Sequence, residues 1–202
     1  MNLEQVFRDV AHRADAAVTE TMTAYSHGHY EDEDDITAAL AGSLRAHISM
    51  QGGPVRWSGK VMRHRSGRAA EEKNTGADLL IHVALDTPAL KYSKGVLVQA
   101  KRNEPGVSMS NGEHARLLAQ CGKMLSITSA AYVFNFSKGK MRCGSATVVQ
   151  GSSNDLIAAL PLTPYRFFLD LFRCATGDQE ITSHRYDDLK IPTAILIQGA
   201  VP

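Results

Sequence analysis

Three residue types at two strand ends carry the chemistry this chain could perform: Asp78, Gln99 and Lys101. One apolar run reads Gly76-Ala77-Asp78-Leu79-Leu80-Ile81-His82-Val83-Ala84-Leu85, and the next ends in Val98-Gln99-Ala100-Lys101-Arg102. Asp86-Thr87-Pro88 and Tyr92-Ser93-Lys94 between them are turn and loop residues, so the pair predicts a β-hairpin. A connection over 86–93 sets Asp78 opposite Lys101, and alternation puts Gln99 on the same face. Apolar strands have no structural need of an acid, an amide and an ammonium at one end. Phosphodiester hydrolysis does have such a need, because a hard cation must polarise the phosphate and activate water. Magnesium prefers oxygen ligands, usually one or two carboxylates with waters and phosphate oxygens. Asp78 offers a carboxylate; the Gln99 amide oxygen and the Ala100 carbonyl offer neutral donors. Lys101 would then stand beside the attacking water and the non-bridging oxygens, where charge accumulates.

One carboxylate is few for a divalent ion, so a second acid is expected. Glu33 precedes Ile36 by three residues and Leu40 by seven, which places it on the buried face of a helix at its N-terminal end. The alternative is that Glu33, like Glu31, Asp32, Asp34 and Asp35, only complements the positive end of the helix dipole. Glu71 and Glu72 precede the Asp78 strand and are the other candidate acids, although a solvated connection beside Arg68 and Lys73 also accounts for them. Gln120 flanks an apolar helical stripe, either reaching Lys101 or a phosphate or lying partly exposed. His82 shares the face of Asp78 by parity, as an outer base or as a packed, hydrogen-bonded histidine.

The elements that must position these groups follow from periodicity. Leu3, Val6, Phe7, Val10, Ala14, Ala17 and Val18 mark a helix over 3–24, and Ile36, Leu40, Leu44 and Ile48 a second over 33–49. A short strand, Val55 to Met62, and a basic turn, Arg63 to Arg68, lead into the hairpin. Beyond it, Pro105 to Gly112 reads as a loop and 113–127 as a helix. Ala130 to Phe136 reads as a strand, Ser145 to Gln150 as another candidate strand, and 155–160 and 164–175 as helices. Ala194 to Gln198 closes the series as a late strand. The order suggests a mixed sheet flanked by helices in a single α/β domain over 1–202.

Composition narrows the partners. The 202 residues are 44% hydrophobic, enough for a full core, and 22 basic residues against 21 acidic leave the charge near neutral. Any nucleic-acid contact must therefore be a local patch. Lys60 to Arg68, Lys101 with Arg102, and Lys138 to Arg142 could neutralise phosphates, or could be ordinary solvated surface. Cys121, Cys143 and Cys174 match no zinc spacing and sit in apolar surroundings, so buried reduced thiols are expected. Met-Asn-Leu-Glu-Gln begins no basic-then-apolar leader, and a soluble cytoplasmic protein is the expectation. His27-Gly28-His29 is too short to define a metal site. Ser108 and Ser110 lack a histidine and acid arrangement, and no phosphate-binding glycine loop occurs. Trp57 is expected to fill the core.

Gly76-Ala77-Asp78, a gap of some twenty residues and Gln99-Ala100-Lys101 resemble the PD-(D/E)XK nuclease superfamily, and the Gln-x-Lys form is similar to its Mrr-like branch of restriction endonucleases. The resemblance covers roughly residues 30–150. It implies a restriction-endonuclease-like αβββαβ core, with the first helix and the C-terminal fifty residues as elaborations. It also implies Mg²⁺ (or Mn²⁺) held by Asp78, Gln99, the Ala100 carbonyl and the helix-borne Glu33, with Lys101 as the catalytic lysine. The implied activity is endonucleolytic hydrolysis of DNA in bacterial restriction or anti-phage defence. Alanine stands in place of the signature proline before Asp78, and Gln99 in place of the second signature acid. The latter lowers the negative charge of the site and keeps open a catalytically inactive module binding nucleic acid or a protein partner. A homodimer, or a partner subunit that supplies target recognition, fits the lack of any recognisable base-reading module.

Overall fold

The computed structural model describes residues 1–49, 53–63 and 75–201. Its elements in chain order are α1 (Leu3–Ser26), α2 (Glu33–Ile48), β1 (Arg56–Arg63), β2 (Leu79–Asp86), β3 (Lys91–Arg102) and α3 (Asn111–Leu125). There follow β4 (Ala131–Ser137), β5 (Lys140–Ser145), α4 (Ala146–Gln150), a 3₁₀ turn (Ile157–Ala159), α5 (Pro164–Phe172), α6 (Arg185–Leu189) and β6 (Thr193–Ala200). The strands form one mixed, open sheet ordered β1-β6-β2-β3-β4-β5.

Alternation along β2 and β3 divides the core in two. Leu79, Ile81, Val83, Leu85, Val96 and Val98 face α1, α2 and α5, where Ile36, Leu40, Leu44, Phe167 and Phe168 are buried. Leu80 and Leu97 face the other way, towards Leu117, Cys121 and Met124 of α3 and the segments after β5. The architecture is thus α/β with helices on both faces of the sheet. Trp57 fills the first core, edge-on to Phe172 with ring centres 5.3 Å apart.

Four expectations need correction. β1, β2 and β3 do not form a consecutive meander: β6 lies between β1 and β2, antiparallel to the first and parallel to the second. Apolar on both faces, Thr193-Ala194-Ile195-Leu196-Ile197 is suited to that central place. Ser145 to Gln150 is not a strand. The Ser145 hydroxyl accepts from Val148 N and caps a short helix there despite the β-branched residues. Residues 155–160 contain one 3₁₀ turn in place of a helix. Cys121 and Cys143 are buried as expected, but Cys174 is exposed. Among the described residues no helix is long and apolar enough to cross a membrane.

Candidate active site at the sheet rim

The hairpin is tighter than its sequence suggests. Thr87 bonds Leu90 through both its hydroxyl and its backbone, closing the turn over 87–90 so that Asp86 already pairs with Lys91. Leu79 pairs with Val98, and one residue back this register sets Asp78 across from Gln99, not from Lys101. The slip spans two residues, so parity survives and Asp78, Gln99 and Lys101 still share the face towards α3. Gly76 admits the chain to β2: at φ +72° it lies against α3, where a Cβ would come within 2.4 Å of the Gln120 carbonyl.

Asp78 is 6% exposed and Gln99 fully buried. Oδ2 of Asp78 accepts from Ala100 N at 2.7 Å and from Gln99 Nε2. The same Nε2 donates to the Ala100 carbonyl at 2.9 Å, and Gln99 Oε1 is buried without a hydrogen-bond partner among the described residues. A buried amide oxygen in that condition costs about 1–3 kcal/mol. The amide nitrogen thus stands between an aspartate oxygen and a carbonyl oxygen, and a third oxygen is unsatisfied nearby. Two of these oxygens are neutral donors and one belongs to a carboxylate, a set whose chemistry fits a hard cation.

Lys101 and Glu33 meet at the same rim. Glu33 opens α2, whose N-cap Asp32 accepts from Asp35 N at 2.8 Å, and its side chain crosses from the opposite layer of the fold. Lys101 Nζ lies 3.3 Å from Glu33 Oε2, and Arg102 N donates to Glu33 Oε1 at 3.0 Å. Arg102 also donates from its guanidinium to the Glu31 carbonyl, holding the acidic segment against β3. Glu33, its side chain 37% exposed, thus bonds β3 as well as standing at the start of α2. An open groove of about 370 Å³ is lined by Asp32, Glu33, Asp34, Asp78, Arg102 and Glu113. A neighbouring cleft of about 270 Å³ adds Lys101, Asn103, Ser108 and Arg116.

Residue pattern alone does not single out Glu113 as part of this rim, although Ser110-Asn111-Gly112-Glu113 is a readable capping box. Both reciprocal bonds of that box form, and they hold the Glu113 carboxyl below its ordinary value, with Lys101 a minor contributor. Asn135 likewise carries no signal in the sequence. Its buried amide accepts from Asn103 N at 2.9 Å and donates to Asn103 O at 2.8 Å, pinning the chain just past β3.

His82 is packed: Nε2 contacts Ser93 Oγ at 2.9 Å, and burial drives its pKa down to about 4, with His184 adding to the shift. Gln120 is buried, not partly exposed, and its backbone lies against Gly76 at the entry to β2. Glu71 and Glu72 lie outside the described residues, as does the basic turn beyond Arg63. His27 caps the end of α1, its ring 6.2 Å from that of His29.

Among the described residues no three histidine, cysteine or acidic side chains are grouped so that they could hold a metal by themselves. Compared with protein-family models, curated proteins and solved structures, the chain matches none.

Proposed function

We propose that the protein is a Mg²⁺-dependent endonuclease of restriction-endonuclease-like fold that hydrolyses DNA, with a role in bacterial restriction or anti-phage defence. The observation that carries this reading is the buried Gln99 amide, whose Nε2 donates to the Asp78 carboxylate and the Ala100 carbonyl and whose Oε1 has no hydrogen-bond partner among the described residues, two residues from Lys101. Asp78, Gln99 Oε1, the Ala100 carbonyl and Glu33 would hold the ion. When bound, Mg²⁺ or Mn²⁺ supplies Lewis acidity towards the phosphate and a more acidic water. Lys101, anchored at the end of β3, places its ammonium where the phosphorane oxygens gain charge. Arg102 and Arg116 flank it and can hold adjacent phosphates. Ala100 N and Gln99 fix the orientation of Asp78.

A second reading is favoured by the shortage of acidic ligands: a nuclease-fold module that binds nucleic acid or a protein without cleaving. The two readings part in a plasmid-cleavage assay with and without Mg²⁺. Wild-type protein is expected to nick or linearise the plasmid only with the ion. Asp78→Ala and Lys101→Ala should be inactive while retaining the wild-type circular dichroism spectrum. Activity persisting in either variant would refute the assignment, and calorimetric Mg²⁺ binding without cleavage would favour the second reading.

A further inference from the structure

The acidic groove at the rim repels the polyanion it would act on. Asp32, Glu33, Asp34, Asp78 and Glu113 line it with Arg102, so even a bound divalent ion leaves the lining net negative. Affinity for a phosphate backbone therefore rests on cations beside the groove, and the β4–β5 hairpin carries them. It turns through Lys138 and Gly139, the latter at φ +78°, at the end of the sheet where β3 finishes in Lys101 and Arg102. Register sets Lys101 opposite Asn135 and Asn135 opposite Arg142, one row across three strands. Two strand spacings separate Lys101 from Arg142, roughly 10 Å between backbones. Met141 and Cys143 turn into the core, which puts Lys140 and Arg142 on the face of Lys101. Lys138, Lys140 and Arg142 are exposed, and among the described residues none of them forms an ion pair.

Hydrogen bonds fix this hairpin relative to the site. Both oxygens of the Glu104 carboxylate accept from Lys138 N, at 3.1 and 3.2 Å. Glu104 opens a turn that Val107 N closes on its carbonyl at 3.1 Å, with Gly106 at φ +79°. Asn103 Nδ2 donates to the Val107 carbonyl at 2.7 Å, and Asn135 holds the Asn103 backbone. The wall of the cleft beside Lys101 is aliphatic: Val107 is 56% exposed there, while Phe134 and Phe136 of β4 are buried in the core. Fixed cations with an aliphatic wall suit a backbone whose bases are stacked inside a duplex, whereas single strands are gripped by exposed rings. We propose that the β4–β5 hairpin seats one strand of a DNA duplex, with Lys138, Lys140 and Arg142 on the phosphates next to the one at Lys101. The inference rests on the reading of the rim as a phosphodiester site.

The test is fluorescence anisotropy of a short labelled DNA duplex, and of its single strand, in EDTA, where neither metal nor cleavage enters. Between about 50 and 200 mM salt, log Kd climbs with log salt by about 0.9 for each phosphate neutralised. Replacing Lys138, Lys140 and Arg142 together by Gln should make that slope about 2.7 shallower and weaken duplex binding at least about tenfold, with the wild-type circular dichroism spectrum. Each single replacement should remove about 0.9. Arg56→Gln with Lys91→Gln, at the opposite end of the sheet, should keep the wild-type slope. A triple variant that binds as the wild type does, or a wild type that prefers the single strand or ignores the duplex, would overturn the proposal. Wild-type cleavage with Mg²⁺ beside a triple variant of unchanged affinity refutes this inference and leaves the nuclease reading standing. Hairpin-dependent duplex binding without cleavage supports this inference and refutes the nuclease reading.

Discussion

Placing an acid in the rim, Gln99→Glu, tests how it is built. In the wild type Gln99 Nε2 donates to both Asp78 Oδ2 and the Ala100 carbonyl. The substitution replaces that donor with an oxygen, so Asp78 Oδ2, still bonded by Ala100 N, and the Ala100 carbonyl each lose a donor, and two carboxylates face each other. If both stay ionised, the two lost bonds alone cost about 2–4 kcal/mol. If the introduced carboxyl instead takes a proton, it can donate to Asp78. Protonating a carboxyl of ordinary pKa about 4.3 at pH 7 costs roughly 3.7 kcal/mol. The less costly route prevails, so the loss at pH 7 without metal is about 2–4 kcal/mol. The folded pair would have a raised pKa, so its stability is full below the unfolded value of about 4.3 and is lost as pH rises. At pH 5 the protonation cost is therefore only about 1 kcal/mol. Saturating Mg²⁺ should reverse the loss, because a cation replaces the missing donor; at one hundred times Kd it returns about 2.7 kcal/mol. Urea denaturation with EDTA or with Mg²⁺, at pH 5 and pH 7, measures all four states. A variant no more stable with Mg²⁺ than with EDTA would refute the idea that these oxygens converge on a cation site.

Three further outcomes are expected. Wild-type stability should fall by about 2.5 kcal/mol between pH 7 and pH 4.5 through His82 alone. Its folded pKa is depressed to about 4, so neutral His82 stabilises the fold above 6.5 and the benefit disappears as pH drops. Urea titrations of the wild type and His82→Gln at the two pH values isolate this contribution, and parallel curves would contradict it. Gly76→Ala should cost about 2 kcal/mol or more, since its Cβ meets the Gln120 carbonyl and its φ is positive, and cleavage should decline with it. Asn135→Leu removes both bonds to the Asn103 backbone and should lower stability by about 2–4 kcal/mol in chemical denaturation, with unchanged helix content.

The parts of the fold legible in the sequence are those set by local pattern. The apolar arms of β2 and β3 and the stripe of α1 both follow from periodicity. Register does not, because the Thr87 side chain closes a turn shorter than Pro88 and its neighbours suggest. Parity preserves the site: a slip of two residues keeps the same face, whereas a slip of one would have separated Asp78 from Gln99 and Lys101. Strand order is not legible either, since nothing local in Thr193–Ala200 specifies insertion between β1 and β2. The helix at Ala146–Gln150 shows a capping serine prevailing over β-branched propensity. Exposure of Cys174 follows from its position at the turn after α5, which the apolar residues preceding it conceal.

The placement of β6 also sets an order of events. β2 gains its second neighbour only when Leu79 meets Thr193, a separation of 193 − 79 = 114 residues. Until then the strand beginning beside Asp78 has an open edge, and β1 has no partner strand among the described residues. Contacts of such range form slowly. Synthesis must therefore pass β6 before the second edge of β2, and with it the rim beside Asp78, can be covered.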